Sequence, residues 1–148
     1  MEKACVDTGI LGIFFSKDCT SKVTTLVNQA VNGMVEMHVL KPVLCEAFYH
    51  VCKVEGKDLA SRRIATLIHE YPIIQVDLDE SLIQLTGTLK CQHRESLSYI
   101  DCMSIAYCLN NRISFHTTEK TLKRILPETK RKLKIVAYDF KESLYLAT

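Results

Sequence analysis

The sequence predicts an α/β fold, a three-layer α/β/α sandwich with a central parallel sheet. Short β-branched or aliphatic runs alternate with helical segments along the chain, which is typical of strands covered by helices on both faces. The 148 residues fit one domain, and no repeat, low-complexity tract or Pro/Gly-rich linker divides them. We therefore expect a single domain over residues 1–138 and a C-terminal tail over residues 139–148.

The first half of the chain is predicted to hold two strands and four helices. An opening strand ends at Asp7-Thr8-Gly9, where a brief apolar helix follows. Thr20 or Ser21 can cap the second helix, whose apolar residues recur at helical spacing. Proline suits the first position of a helix, so Pro42 marks the start of the third. In order, the predicted ranges are strand 3–6, helices 10–15 and 21–32, strand 36–40, and helices 42–51 and 58–69.

The second half is predicted to hold three further strands and three helices. Tyr71-Pro72 closes the preceding helix ahead of a strand, and Asp79 or Ser81 can cap the next helix. The helix after that is apolar nearly all round, which favours burial. In order, the predicted ranges are strand 73–76, a helix that ends near 90, helix 97–109, strand 113–115, helix 120–125 and strand 133–137.

Composition excludes several classes of protein. The apolar share of 47% and charged share of 24% are those of a globular protein, not of a disordered or collagenous chain. No apolar run approaches the ~20 residues of a spanning helix. Acidic residues precede any apolar stretch of signal-peptide length, so we expect a cytoplasmic protein without a membrane partner. The seven cysteines form no Cys-x-x-Cys pair, and those in apolar helical stretches, such as Cys45 and Cys102, are interpreted as small core residues.

Positive charge concentrates near the C-terminus although the net charge is only +2. Residues 119–134 hold seven basic side chains against two acids. Such a segment can attract phosphates, and it can equally be a solvated helix face.

Three acids stand in apolar surroundings. Asp7 follows an apolar strand, and Glu46 and Asp101 lie inside apolar helical stretches. A lone buried carboxylate is costly, and several that converge repel each other unless a cation lies between them. Oxygen-only sites of that kind favour Mg²⁺ or Mn²⁺.

Each acid also has a purely structural explanation. Asp7 can cap the helix that begins after it, and Ser98-x-x-Asp101 has the pattern of a capping box. Glu46 can reach solvent at the rim of its helix. A fourth acid, Glu119, can favour a helix N-terminus through the helix dipole. Taken together, however, the four fall at strand ends or helix starts, which a parallel topology brings to one edge of the sheet.

Four blocks in order resemble those of a PIN domain. They are Asp7-Thr8-Gly9-Ile10-Leu11, Pro42-x-x-x-Glu46, Asp101-x-x-x-Ile105-Ala106 and Thr117-Thr118-Glu119. The likeness extends from Lys3 to about Tyr138, and the length is similar to that of single-domain PIN nucleases, including VapC-like toxins of toxin–antitoxin pairs.

The resemblance implies a ribonuclease that uses Mg²⁺ or Mn²⁺ to hydrolyse phosphodiester bonds. It implies that Asp7, Glu46 and Asp101 are catalytic metal ligands. Glu119 is the fourth candidate catalytic metal ligand; it stands where the family usually has aspartate, and Thr117 or Thr118 can assist in its place. The candidates for substrate contacts are Thr8, Thr117, Thr118, Lys120, Lys123 and Arg124.

The resemblance also implies partners, namely an RNA substrate, an antitoxin protein and a second copy of the chain in a homodimer. Three other functions stay open: a PIN nuclease of general RNA processing, a catalytically weak RNA- or protein-binding PIN domain, and a receiver-like domain whose acidic pocket accepts phosphate. The last fits poorly, because no suitably placed lysine follows the fourth strand.

Two kinds of side chain near these blocks are ambiguous. His50, four residues after Glu46, can pair with it as a transition-metal donor, although a solvent-facing or RNA-contacting role is favoured. Tyr49 and Tyr99 are interpreted as core or rim aromatics in preference to platforms for nucleic-acid bases.

Overall fold

A computed structural model describes residues 1–17, 19 and 21–139. Its five strands are β1 (Glu2–Val6), β2 (Val35–Leu40), β3 (Ile73–Val76), β4 (Ser114–Thr117) and β5 (Ile135–Ala137). The helices are α1 (Thr8–Phe15), α2 (Ser21–Val31), α3 (Lys41–Glu55), α4 (Lys57–Glu70), α5 (Glu80–Gln92), α6 (Tyr99–Asn111) and α7 (Pro127–Lys132), with a 3₁₀ helix at Thr121–Arg124.

The five strands form one parallel sheet in the order β3-β2-β1-β4-β5. Right-handed crossovers place α1 to α4 on one face and α5 and α6 on the other, and the helices pack accordingly, α3 against α1 and α4 and α5 against α6. The three-layer prediction is confirmed. A receiver-like domain would have the order 2-1-3-4-5, so that alternative is wrong.

Strand β1 is the middle strand of the sheet. Helices cover it on both faces, which suits its unbroken apolar run. Ala4, Cys5 and Val6 are completely buried, and Cys5 stands in register with His38 of β2 and Phe115 of β4. The chain runs outward from β1 to β3 and then returns to β4 on the other side of β1. This reversal opens a crevice at the carboxyl ends of β1 and β4, where open α/β sheets bind ligands.

The predicted elements agree with the structure except at the start of α6 and near the C-terminus. The predicted helix at 120–125 is a short 3₁₀ helix, and α7 was not predicted, because none of its residues is buried and no apolar periodicity marks it. Helix α6 begins at Tyr99 instead of residue 97, since Ser98 is its N-cap. Thr20 as a cap and residues 140–148 of the predicted tail lie outside the described residues, so the domain boundary at 138 stays a prediction.

All seven cysteines are free thiols. Cys102 and Cys108 are buried, as expected of small apolar side chains, but Cys45 is exposed, so its interpretation as a core residue is wrong. No helix in the described part of the chain is both long and apolar enough to cross a membrane.

Candidate active site

A cleft of about 530 Å³ lies at the carboxyl edge of the sheet, at the reversal between β1 and β4. Four segments that are distant in sequence contribute acids to its lining, namely Asp7, Glu46, Asp101 and Glu119. Asp7 follows β1, Glu46 lies on α3, Asp101 is in the first turn of α6, and Glu119 follows β4. The structure therefore brings all four predicted acids to one cleft.

Asp7 is both a helix cap and a site residue. Its Oδ1 accepts a hydrogen bond from the Ile10 backbone N–H at 3.0 Å, which caps α1. Its Oδ2 accepts the Thr117 hydroxyl at 2.5 Å and the Thr118 N–H at 3.2 Å. One buried carboxylate therefore joins the start of α1 to the end of β4, and hydrogen bonds at both of its oxygens hold it in the cleft.

Thr118 packs directly on Gly9. A β-carbon on Gly9 would lie 1.8 Å from Thr118 Oγ1 and 2.9 Å from its Cβ, which is impossible without displacement. Glycine is thus required here for a close approach and not for an unusual backbone angle. The contact holds the segment that carries Glu119 close to α1. Within that segment, the Glu119 N–H donates a hydrogen bond to Thr117 Oγ1 at 2.8 Å.

Asp101 is placed in the cleft by the N-terminus of α6. Ser98 Oγ accepts a hydrogen bond from the Asp101 N–H at 3.1 Å, so the capping interpretation is confirmed alongside the cleft position. Burial, together with the nearby charges of Asp7, Glu119 and Glu46, raises the pKa of Asp101 to about 7. Burial also raises the pKa of Asp7 to about 6 against the opposing effect of its three hydrogen bonds.

These raised pKa values make the stability of the metal-free protein fall as the pH rises. At about pH 5 the folded chain keeps protons on Asp7 and Asp101 that unfolded aspartates, with a pKa of 3.8, have already released. At these two groups the unfolded state therefore binds fewer protons, and their contribution to the free energy of unfolding decreases up to about pH 7.

The corresponding measurement is urea unfolding in EDTA. We expect Asp101→Asn to gain more stability over the unsubstituted protein at about pH 8 than at about pH 5, because the asparagine has no charge to bury. Burial lowers the pKa of His116 to about 4, which contributes to stability with the opposite sign. Because both proteins contain His116, this contribution cancels when the variant is compared with the unsubstituted protein. An equal gain at both pH values would contradict the raised pKa of Asp101.

The four acids surround the cleft without being gathered into a coordination sphere. Among the described residues, no three His, Cys, Asp or Glu side chains stand close enough together to hold a metal ion as they are. The chemistry of the donors nevertheless suits a hard cation, since they are carboxylates whose mutual repulsion a positive charge would relieve.

Two polar atoms of the cleft lining are buried without a hydrogen-bond partner, Thr8 Oγ1 and His50 Nδ1. Burial, together with the charge of Lys53, lowers the pKa of His50, so its imidazole is neutral at neutral pH. Buried polar atoms in proteins are nearly always paired. Both atoms are unpaired in this arrangement, although neither is open to solvent.

Sequence reasoning missed one wall of the cleft, which includes Lys90 and Glu95. Lys90 Nζ donates to the carbonyls of Arg94 at 2.8 Å and Leu97 at 2.6 Å, so it shapes the loop that leads to Ser98. Neither residue belongs to an apolar stretch or a spaced motif. A lysine on a helix and a glutamate in a turn carry no local signal of this role.

Only some of the residues predicted to contact the substrate line the cleft. Thr8 and Thr118 line the cleft. Thr117 does not line it, but its hydroxyl donates a hydrogen bond to Asp7, which does. Lys120 lines a neighbouring cavity of about 550 Å³ that Glu119 shares, whereas Arg124 is exposed and lines neither cavity. The side chain of Lys123 lies outside the described part of the chain.

Comparison with known proteins agrees with this architecture. The family model for the PIN domain matches residues 4–126. A search of curated proteins finds no match.

Among solved structures, a VapBC2 complex from Rickettsia felis is similar, with 16% identity, a TM-score of 0.70, and coverage of 93% of this chain and 99% of the other. VapBC from Salmonella typhimurium has 18% identity, a TM-score of 0.67, and coverage of 93% and 98%. VapC20 from Mycobacterium tuberculosis, a sarcin-ricin loop cleaving toxin, has 13% identity, a TM-score of 0.62, and coverage of 83% and 96%. Sequence identities this low support a shared fold only. The family model, in contrast, matches most of the chain. The chain belongs to the PIN domain family.

Proposed function

We propose that this PIN domain is a metal-dependent endoribonuclease and the toxin of a toxin–antitoxin pair. The observation that carries the proposal is the convergence of four carboxylates from four segments on one cleft. Repulsion from the other acids contributes to the raised pKa of Asp101, so the cleft favours a bound cation.

The proposed ligands of Mg²⁺ or Mn²⁺ are Asp7, Glu46, Asp101 and Glu119. When bound by these residues, a divalent ion would supply a lowered pKa for water and polarisation of the phosphate, so no protein nucleophile would be needed. Asp7 is held by three hydrogen bonds and supplies a fixed reference point. Because the acids are not already gathered, binding requires side-chain rotation, for which the two glutamates have the longer side chains.

The other polar groups of the cleft have distinct roles in this proposal. Thr8 Oγ1 and His50 Nδ1 are buried and unpaired in the cleft lining, and a small shift of that lining would let them hydrogen-bond the substrate or a water molecule. Lys120 and Lys130 line the cavity beyond Glu119 and are placed to hold a phosphate farther along the strand.

The structural relatives support the biological part of the proposal. Two of them are VapBC toxin–antitoxin complexes, and a third is a toxin that cleaves the sarcin-ricin loop. By analogy we propose an RNA substrate, an antitoxin that covers the cleft, a homodimer and action in the cytoplasm. Copurification with a small protein encoded by the adjacent gene would support the toxin role over general RNA processing.

The first test is cleavage of a mixed RNA pool by the purified protein with Mg²⁺, Mn²⁺ or EDTA. We expect cleavage with either metal and none with EDTA. Calorimetry on the same preparation should show binding of Mn²⁺ that Asp101→Asn weakens. Absence of both cleavage and metal binding would overturn the proposal and leave a binding module.

A further inference from the structure

Two tyrosines beside the cleft expose their rings to solvent. Among the described tyrosines, Tyr49 and Tyr99 are each 60% exposed, and the other three are buried or half-buried. Tyr49 lies on α3 between Glu46 and His50, and Tyr99 is the first residue of α6. The structure therefore shows that both tyrosines are rim residues and that neither belongs to the core.

The two tyrosines do not line the cleft themselves, but each contacts a lining residue from a different layer of the fold, Tyr49 through His50 and Tyr99 through Lys90. Helix α3 covers one face of the sheet and α6 the other, and the cleft lies between them. The Tyr49 ring lies 5.5 Å from the ring of His50, which lines the cleft. Tyr99 directly follows Ser98, another residue of the cleft lining.

Each exposed ring is accompanied by a cation. Lys53 Nζ lies 5.5 Å from the centroid of Tyr49, and Lys90 Nζ lies 5.5 Å from that of Tyr99. A single exposed aromatic needs no explanation. Two exposed rings with adjacent ammonium groups, one on either side of a carboxylate cleft, match the way proteins bind single-stranded nucleic acid, in which bases stack on aromatic rings and cations follow the phosphates.

We infer that Tyr49 and Tyr99 stack unpaired bases on the two sides of the phosphate that enters the cleft. The inference rests on the proposed nuclease function and specifies its substrate as an unpaired stretch of RNA. Bases within a duplex present only their edges, because their faces are stacked on each other, so a double-stranded substrate would not engage the rings.

The absence of tryptophan from the sequence permits a direct binding test. Tyr49→Trp and Tyr99→Trp, each combined with Asp101→Asn and kept in EDTA, place a single fluorophore at each ring without cleavage. The probe is a single-stranded RNA of about 12 nucleotides, within the span of single-strand binding sites, compared with the same strand annealed to its complement.

We expect the single strand to quench the fluorescence of both tryptophans and the duplex to leave it unchanged. The matched control is Met34→Trp, since Met34 is 61% exposed and precedes β2, at the opposite edge of the sheet from the cleft. Equal quenching by duplex and single strand, or equal quenching of the control, would overturn the inference.

A second measurement separates stacking from a structural role. In the active chain, Tyr49→Leu and Tyr99→Leu should raise KM by about 5- to 100-fold each with little change in kcat, whereas the phenylalanine variants should retain the original KM. Cleavage without quenching would overturn the stacking inference alone. Quenching without metal-dependent cleavage would overturn the nuclease proposal and leave single-strand binding intact.

Discussion

Asp101→Asn is expected to abolish RNA cleavage while leaving the fold intact. Loss of a residue that merely orients a metal ligand costs about 10- to 100-fold in affinity or activity, so loss of a ligand should exceed that. The Ser98 cap of α6 uses the Asp101 backbone N–H, which the substitution keeps. Removing a carboxyl group whose pKa is raised to about 7 should also make the metal-free protein more stable at neutral pH.

Asp101 is a cleaner choice than Asp7 for this test. Both oxygens of Asp7 accept hydrogen bonds, so an asparagine there would turn its NH₂ group toward a backbone or hydroxyl donor. The matched control is Asp79→Asn, because Asp79 caps α5 through the Leu82 N–H and asparagine caps helices equally well. Cleavage rates and urea midpoints would be measured for both. An unfolded Asp101→Asn protein would favour a purely structural role for this residue.

Gly9→Ala is expected to inactivate and destabilise the protein together. The added β-carbon would meet Thr118 Oγ1 at 1.8 Å, and both residues belong to segments that hold site acids. Overpacking of this kind costs about 1–3 kcal/mol. The displaced segment carries Glu119 and the Thr118 N–H that binds Asp7, so cleavage should fall by more than tenfold even where the protein remains folded.

The control for Gly9→Ala is a second helical glycine with free space around it. A β-carbon on Gly87 in α5 would meet nothing within 4 Å. Gly87→Ala should therefore stabilise the protein by about 0.5–1 kcal/mol and leave cleavage unchanged. Gly9→Ala combined with Thr118→Gly should recover part of the lost stability in thermal unfolding. If Gly9→Ala alone behaves like Gly87→Ala, the close contact with Thr118 does not organise the site.

Most of the fold could be predicted from local patterns. Strands β1 to β3 and helices α2 to α5 were expected within a few residues of their bounds, because apolar periodicity and caps act over short range. The pattern failed at α7, which buries none of its side chains and so shows no apolar face. The 3₁₀ helix at Thr121–Arg124 likewise replaces a predicted α-helix.

The candidate site shows a sharper division. The four acids were identified because carboxylates in apolar surroundings are costly and because their blocks resemble those of the family. The sequence is consistent with Asp7 either capping a helix or lining a site, and the structure shows that it does both. Lys90 and Glu95 were missed because their part in the cleft depends on how the loop after α5 folds back.

The α/β class, the order of the elements and the identity of the four acidic candidates can be read from local patterns, since each depends on residue type and short-range spacing. The strand order β3-β2-β1-β4-β5 and the resulting convergence of those acids belong to the tertiary structure. The tertiary structure also decides the contact of Gly9 with Thr118 and the exposure of Tyr49 and Tyr99. The physical reason is that the burial, charge and neighbours of a side chain are set by segments far away in the chain, which local periodicity does not report.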